Sequence, residues 1–144
     1  MSNQNRSTPQ WFFDELRRLM RIAVGIDIKY DMAANAENAK AETWFGEDTD
    51  SLKIDWPKDG ICWCNPPFKK LQYYFAKYKE QAHIGSMILA ISPISSDRYT
   101  EYAWINKKIC PIIGRVWKLE VRSCMLTFWN VPKPSLLKIV DQKL

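Results

Sequence analysis

The chain has 144 residues, 47% hydrophobic and 13% aromatic, which excludes a disordered polypeptide and suits one compact domain over residues 1–144 without a separate target-recognition domain. A net charge of +5 and a pI near 9.0 fit a polyanionic partner. Neither a leader nor an apolar run of the ~18 residues that a membrane span needs is present, so a cytoplasmic protein with no membrane contact is expected.

Met1 to Arg6 is polar and reads as a loose end. Thr8 makes a good N-cap and Pro9 suits a first helical position, predicting a helix to about Arg21 with Trp11, Phe12, Leu16, Leu19 and Met20 on its apolar face. Ile22 to Tyr30 is rich in Ile and Val and reads as a strand that ends at Asp31. Ala36 to Thr43 follows as a short helix, Trp44-Phe45 as the stub of a second strand, and Gly46 to Asp59 as an acidic loop in which Trp56 is an anchor.

Ile61 to Cys64 is a short apolar strand, stopped by Pro66 and Pro67. Leu71, Tyr74, Phe75 and Tyr78 have helical spacing within Leu71 to Gln81. Met87 to Ile91 has the continuous apolar character of a strand buried on both faces, and Pro93 to Arg98 forms the loop at its carboxyl end. Tyr99 to Asn106 reads as a helix and Ile109 to Ile113 as a strand. After a turn at Gly114-Arg115, Val116 to Val121 and Met125 to Trp129 read as an antiparallel pair, because Arg122-Ser123-Cys124 is too short a joint for a crossover. Pro132 and Pro134 precede a last short helix from Ser135.

The four cysteines, Cys62, Cys64, Cys110 and Cys124, have no C-x-x-C spacing and read as small buried hydrophobes in a reducing compartment. The sole histidine, His83, falls at a helix end, and no metal site is expected.

Chemistry concentrates at Asn65-Pro66-Pro67-Phe68. Asn65 offers a side-chain carbonyl, and the Pro66 carbonyl is held in one direction because each proline restricts its neighbourhood. Two rigid acceptors facing one spot can take both hydrogens of an amino group and draw its lone pair out of conjugation, making it nucleophilic without a general base. Phe68 would stack a flat base taken out of its helix. The plain structural alternative is a strand that ends in a Pro-Pro turn with a buried Phe.

That tetrad resembles the catalytic motif of amino-group methyltransferases that use S-adenosylmethionine. More of the chain is similar to one compact branch, the phage DNA N6-adenine methyltransferase (Dam) family. The matching pieces are Thr8-Pro9, Asp31-Met32-Ala33-Ala34, Glu37-Asn38-Ala39-Lys40, Asp50-Ser51-Leu52 with Trp56, Trp63-Cys64 before the tetrad, and Gly114-Arg115-Val116. The resemblance implies an α/β, Rossmann-like class I methyltransferase fold. Its sheet would be mixed and mostly parallel, ending in an antiparallel hairpin, with helices on both faces.

It also implies methyl transfer from S-adenosyl-L-methionine to N6 of a flipped adenine in double-stranded DNA, by a monomer or homodimer. Asn65, Pro66, Pro67 and Phe68 would be catalytic, and Thr8, Pro9, Asp31, Ala33 and Asp50 would surround the cofactor. Asp31 would meet the cofactor's ammonium or else be an N-cap, and Glu42 and Asp48 compete for its ribose. Met32-Ala33-Ala34-Asn35 stands where the broad class has a glycine-rich turn. Lys69, Lys70, Arg98, Arg115, Lys118 and Arg122 are candidates for DNA phosphates or for a solvated, charged edge. Two rivals remain: the same chemistry on RNA or on protein glutamine, and a degenerate module that binds nucleic acid without turnover.

Overall fold

In the computed structural model, which describes residues 8–94, 98–113, 124–133 and 137–138, the first helix is set by its own apolar stripe. Helix α1 (Gln10–Ala23) buries Phe12, Phe13, Leu16 and Met20, each worth about 1.5–3 kcal/mol of transfer free energy. On its polar side Arg17 grips the Asp27 carboxylate with two hydrogen bonds of 2.8 and 3.0 Å, and Arg21 adds two more of 3.1 and 3.2 Å. The guanidinium of Arg17, aided by that of Arg21, holds Asp27 well below the usual carboxylate range and ties the helix to the chain entering the sheet.

Strands β1 (Ile28–Asp31), β2 (Thr43–Trp44), β3 (Ile61–Cys64) and β4 (Met87–Pro93) are parallel, with β1 between β2 and β3. Beyond β4 come β5 (Ile109–Ile113), β6 (Cys124–Trp129) and β7 (Leu137–Lys138), completing the order β2-β1-β3-β4-β6-β5-β7. Strand β6 is antiparallel to both β4 and β5, so β5 runs with the parallel set and β6 alone opposes it among the described strands.

Side-chain alternation builds two cores. Ile61, Trp63, Leu89, Leu126 and Phe128 pack with the α1 stripe. Their neighbours Cys62, Cys64, Ile88, Met125 and Trp129 pack on the opposite face with residues of α2 (Leu71–His83) and α3 (Arg98–Ile105). Helices therefore cover both faces, as expected, and the four cysteines are buried free thiols. Among the described residues no helix is long and apolar enough to cross a membrane.

Several expectations are corrected. The strand expected from Ile22 begins only at Ile28, because the α1 stripe runs on to Ala23. Gly25, at φ +75°, then closes that helix with its N–H on the Met20 carbonyl at 2.9 Å. The helix expected over Ala36–Thr43 is a set of turns: Asn35 Oδ1 accepts from the N–H groups of Glu37 and Asn38, and Asn38 Oδ1 from that of Asn35. Such side-chain bonds compete with helical ones. Leu137–Lys138 pairs with β5 where a helix was expected, and Cys124 opens β6 rather than ending a joint. The antiparallel strand sits inside the sheet, paired with β4 and β5; Val116 to Val121, its expected hairpin partner, lies outside the described residues.

Candidate active site

Because β1, β2 and β3 are parallel, Asp31, Trp44 and Cys64 end on one rim, the edge at which open α/β sheets bind ligands. The loops leaving these strands enclose a cavity of about 810 Å³, whose wall includes Thr8, Asp31, Ala33, Asp50, Asn65 and Lys70. That volume suits a nucleoside-sized ligand.

Asn65 leaves β3 directly into this wall, and its side-chain amide nitrogen donates to the Thr8 hydroxyl at 3.0 Å. Thr8 is 3% exposed, so the bond is sheltered and fixes the amide plane, with Oδ1 as its other arm. Thr8 therefore does not cap α1. Pro9 takes the cap position, its carbonyl accepting from Phe12 and Phe13 N–H at 3.1 Å, and no side chain caps the first turn. Pro67, also in the wall, accepts the Lys70 N–H at 2.9 Å through its carbonyl, folding Phe68–Lys70 into a 3-10 turn.

Asp31 is 3% exposed. Its Oδ1 accepts from Ala33 N–H at 3.3 Å and its Oδ2 from Lys40 N–H at 3.0 Å, so it spans the base of the loop that lines the cavity. Burial raises its carboxyl above the ordinary value, and these two backbone donors together with the charge of Lys40 only partly counter it. Across the floor, Ala34 N–H meets the Phe45 carbonyl at 3.1 Å. A Cβ on Gly46 would stand 2.9 Å from the Ala34 carbonyl oxygen and 3.2 Å from the Trp44 ring, so this approach requires glycine. Gly46→Ala is expected to lower stability by about 1–3 kcal/mol, read in the denaturation midpoint; an unchanged midpoint would mean that the two loops are not pinned together here. Asp50 is left-handed at φ 46°, with Oδ1 accepting from Leu52 N–H at 3.2 Å.

Of the residues singled out from sequence, Thr8, Asp31, Ala33, Asp50, Asn65, Pro67 and Lys70 share this wall, and so does Asp48. Pro9, Glu42, Pro66, Phe68, Lys69 and Arg98 do not line it. Pro66 is buried, Phe68 packs against the core on the α2 side, and Arg98 opens α3 in an exposed position. Arg115, Lys118 and Arg122 lie outside the described residues. Lys40, Trp44, Gly46, Trp63 and Tyr74 also line the cavity, and sequence reasoning gave none of them a place in it. Burial pushes the Tyr74 phenol up to about 12. Gly46 carried a usable signal, as a lone glycine at the end of a strand stub.

The model of the DNA N-6-adenine-methyltransferase (Dam) family matches residues 3–120. A protein of Escherichia phage T1 described as a DNA N-6-adenine-methyltransferase is 33% identical over 81 residues, which make up 55% of this chain and 32% of that protein. The match thus spans about a third of that relative's length. No solved structure matches significantly.

Proposed function

Since the chain belongs to the DNA N-6-adenine-methyltransferase (Dam) family, we propose that it transfers a methyl group from S-adenosylmethionine to N6 of a flipped adenine in double-stranded DNA, on a Rossmann-like class I methyltransferase fold. The observation that carries this is the joining of Asn65 to the buried Thr8 hydroxyl in the wall that also holds Asp31. Catalytic amide and cofactor carboxylate then border one cavity. The parallel sheet with one internal antiparallel strand and helices on both faces supports the fold.

The residues present suit the cofactor. Asp31 is a buried carboxylate whose charge is only partly offset by two backbone donors and the nearby Lys40, and so fits an ammonium group. Ala33, Ala34 and Gly46 bring bare backbone to the floor, in place of a glycine-rich turn. Asp48, with Glu47 beside it, would accept from ribose hydroxyls, and Asp50 would stand near the adenosine. When bound, S-adenosylmethionine supplies an electrophilic methyl group on a sulfonium. Asn65 Oδ1 and the Pro66 carbonyl would each accept one hydrogen of the adenine amine, pulling its lone pair out of the ring and aiming it. Phe68, only partly buried against the core, would offer its remaining exposed face to the extruded base, and Lys69, Lys70 and Arg98 would meet phosphates.

Thr8→Val removes the acceptor that orients the Asn65 amide. It is expected to slow transfer about tenfold at a stability cost of roughly 1 kcal/mol, measured as single-turnover rate beside a denaturant midpoint. A wild-type rate would mean that Asn65 is oriented without Thr8. The function itself is tested by digesting DNA from cells that express the chain, after removal of the host's own adenine methylation. N6-methyladenine with the wild type but not with Asn65→Ala is expected, and its absence from both would overturn the proposal.

A further inference from the structure

The cavity wall holds four carboxylates, Asp31, Glu47, Asp48 and Asp50, and only two ammonium groups among the described residues, Lys40 and Lys70. An amino-acid zwitterion carries its ammonium and its carboxylate on the same carbon, so their partners must be neighbours in the wall. Lys40 is the neighbour of Asp31: its own backbone N–H sits 3.0 Å from Asp31 Oδ2. Its Nζ donates to the neutral Gln10 Oε1 at 3.2 Å, while its charge reaches Asp31 through space. Gln10 is the first residue of α1, and its Nε2 is anchored in turn on Asp14 Oδ1 at 2.8 Å. The ammonium of Lys40 is thus held at the first residue of a 14-residue helix whose first turn has no side-chain cap, while its charge still acts on Asp31; the dipole at that helix start also favours an anion. Lys70, by contrast, belongs to the turn behind Asn65.

We infer that Lys40, positioned by Gln10, binds the carboxylate of the cofactor's amino-acid end while Asp31 binds its ammonium, so that the two side chains form a matched pair selecting a zwitterion. This rests on the methyltransferase function proposed above. The Lys40 backbone N–H, which caps Asp31, is unaffected by replacing the side chain, so the role of the ammonium can be isolated.

The test is calorimetric titration of the wild type, Lys40→Met and Lys40→Arg with S-adenosylhomocysteine and with decarboxylated S-adenosylmethionine, which keeps the ammonium and lacks the carboxylate. For Lys40→Met the expected result is about a ten- to hundredfold weaker affinity for S-adenosylhomocysteine and an unchanged affinity for the decarboxylated compound. Lys40→Arg should recover most of the loss. An equal loss for both ligands, or none for either, would overturn the role of Lys40 while leaving cofactor binding intact. A wild type that binds neither ligand would overturn the function on which the inference rests.

Discussion

Replacing Asn65 by alanine is expected to lower the rate of methyl transfer on the order of a hundred- to a thousandfold, with little change in cofactor affinity. In the proposed mechanism the amide oxygen would act on the target amine and not on the cofactor, so its loss should fall on the transition state. Asn65 is anchored at both ends: it follows a strand whose four residues are all buried, and its amide nitrogen is fixed on Thr8. Asn65→Asp is the sharper variant. A carboxylate keeps an acceptor but loses the amide hydrogens that Thr8 accepts, so the side chain must reorient or recruit the Thr8 proton. Single-turnover rates for both variants, beside cofactor affinities, separate chemistry from binding. A rate within twofold of wild type for Asn65→Ala would remove this side chain from the mechanism.

Asp31→Asn should weaken cofactor binding about ten- to a hundredfold, through loss of a buried charge-assisted hydrogen bond. It should also cost roughly 1–3 kcal/mol of stability, because an amide cannot accept from both Ala33 and Lys40 N–H as the carboxylate does. The pH dependence has a definite sign. Burial raises the Asp31 carboxyl in the folded state, so between its unfolded and folded values the folded protein holds a proton that the unfolded chain has released. Its contribution to the stability of the ligand-free protein is therefore full below the unfolded value and is lost as pH rises through the folded one. Binding of a cationic ammonium requires the ionised form, so cofactor affinity should increase over the same rise. Asp27, held low by Arg17 and Arg21, adds stability with rising pH in both proteins, so the Asp31 contribution is read as a difference: as pH rises, the thermal midpoint of the wild type should fall relative to that of Asp31→Asn while its calorimetric affinity rises relative to it. Parallel profiles in the two proteins would mean that Asp31 neither titrates in this window nor meets the cofactor.

The parts of this molecule legible in sequence are those fixed by short-range patterning. The strand Ile61–Cys64 was readable because its apolar run meets two prolines, and the face of α1 because Phe12, Leu16 and Met20 recur at helical spacing. Asp31 and Asn65 could both be placed at strand ends, and both sit in the same wall. What escaped depended on side chains that bond across the chain. Thr8 looks like an N-cap locally and is claimed by a residue 57 positions away. Ala36–Thr43 has adequate helix formers, but the Asn35 side chain takes the N–H groups of Glu37 and Asn38, and the distant Asp31 takes that of Lys40. Lys40 has no local pattern at all: only the closure of its loop onto Asp31 and α1 brings it into the cavity wall. Likewise no spacing rule could foresee that β6 enters the sheet between β4 and β5, since strand order is a tertiary property.

The most direct measurement is transfer of tritiated methyl from S-adenosylmethionine to unmethylated duplex DNA, with RNA and protein offered in parallel and the product nucleosides resolved. Tritium confined to N6-methyladenine from the duplex, and lost with Asn65→Ala, is the expected result. Label in RNA or in protein glutamine but not in DNA, or cofactor binding with no label in any substrate, would contradict it.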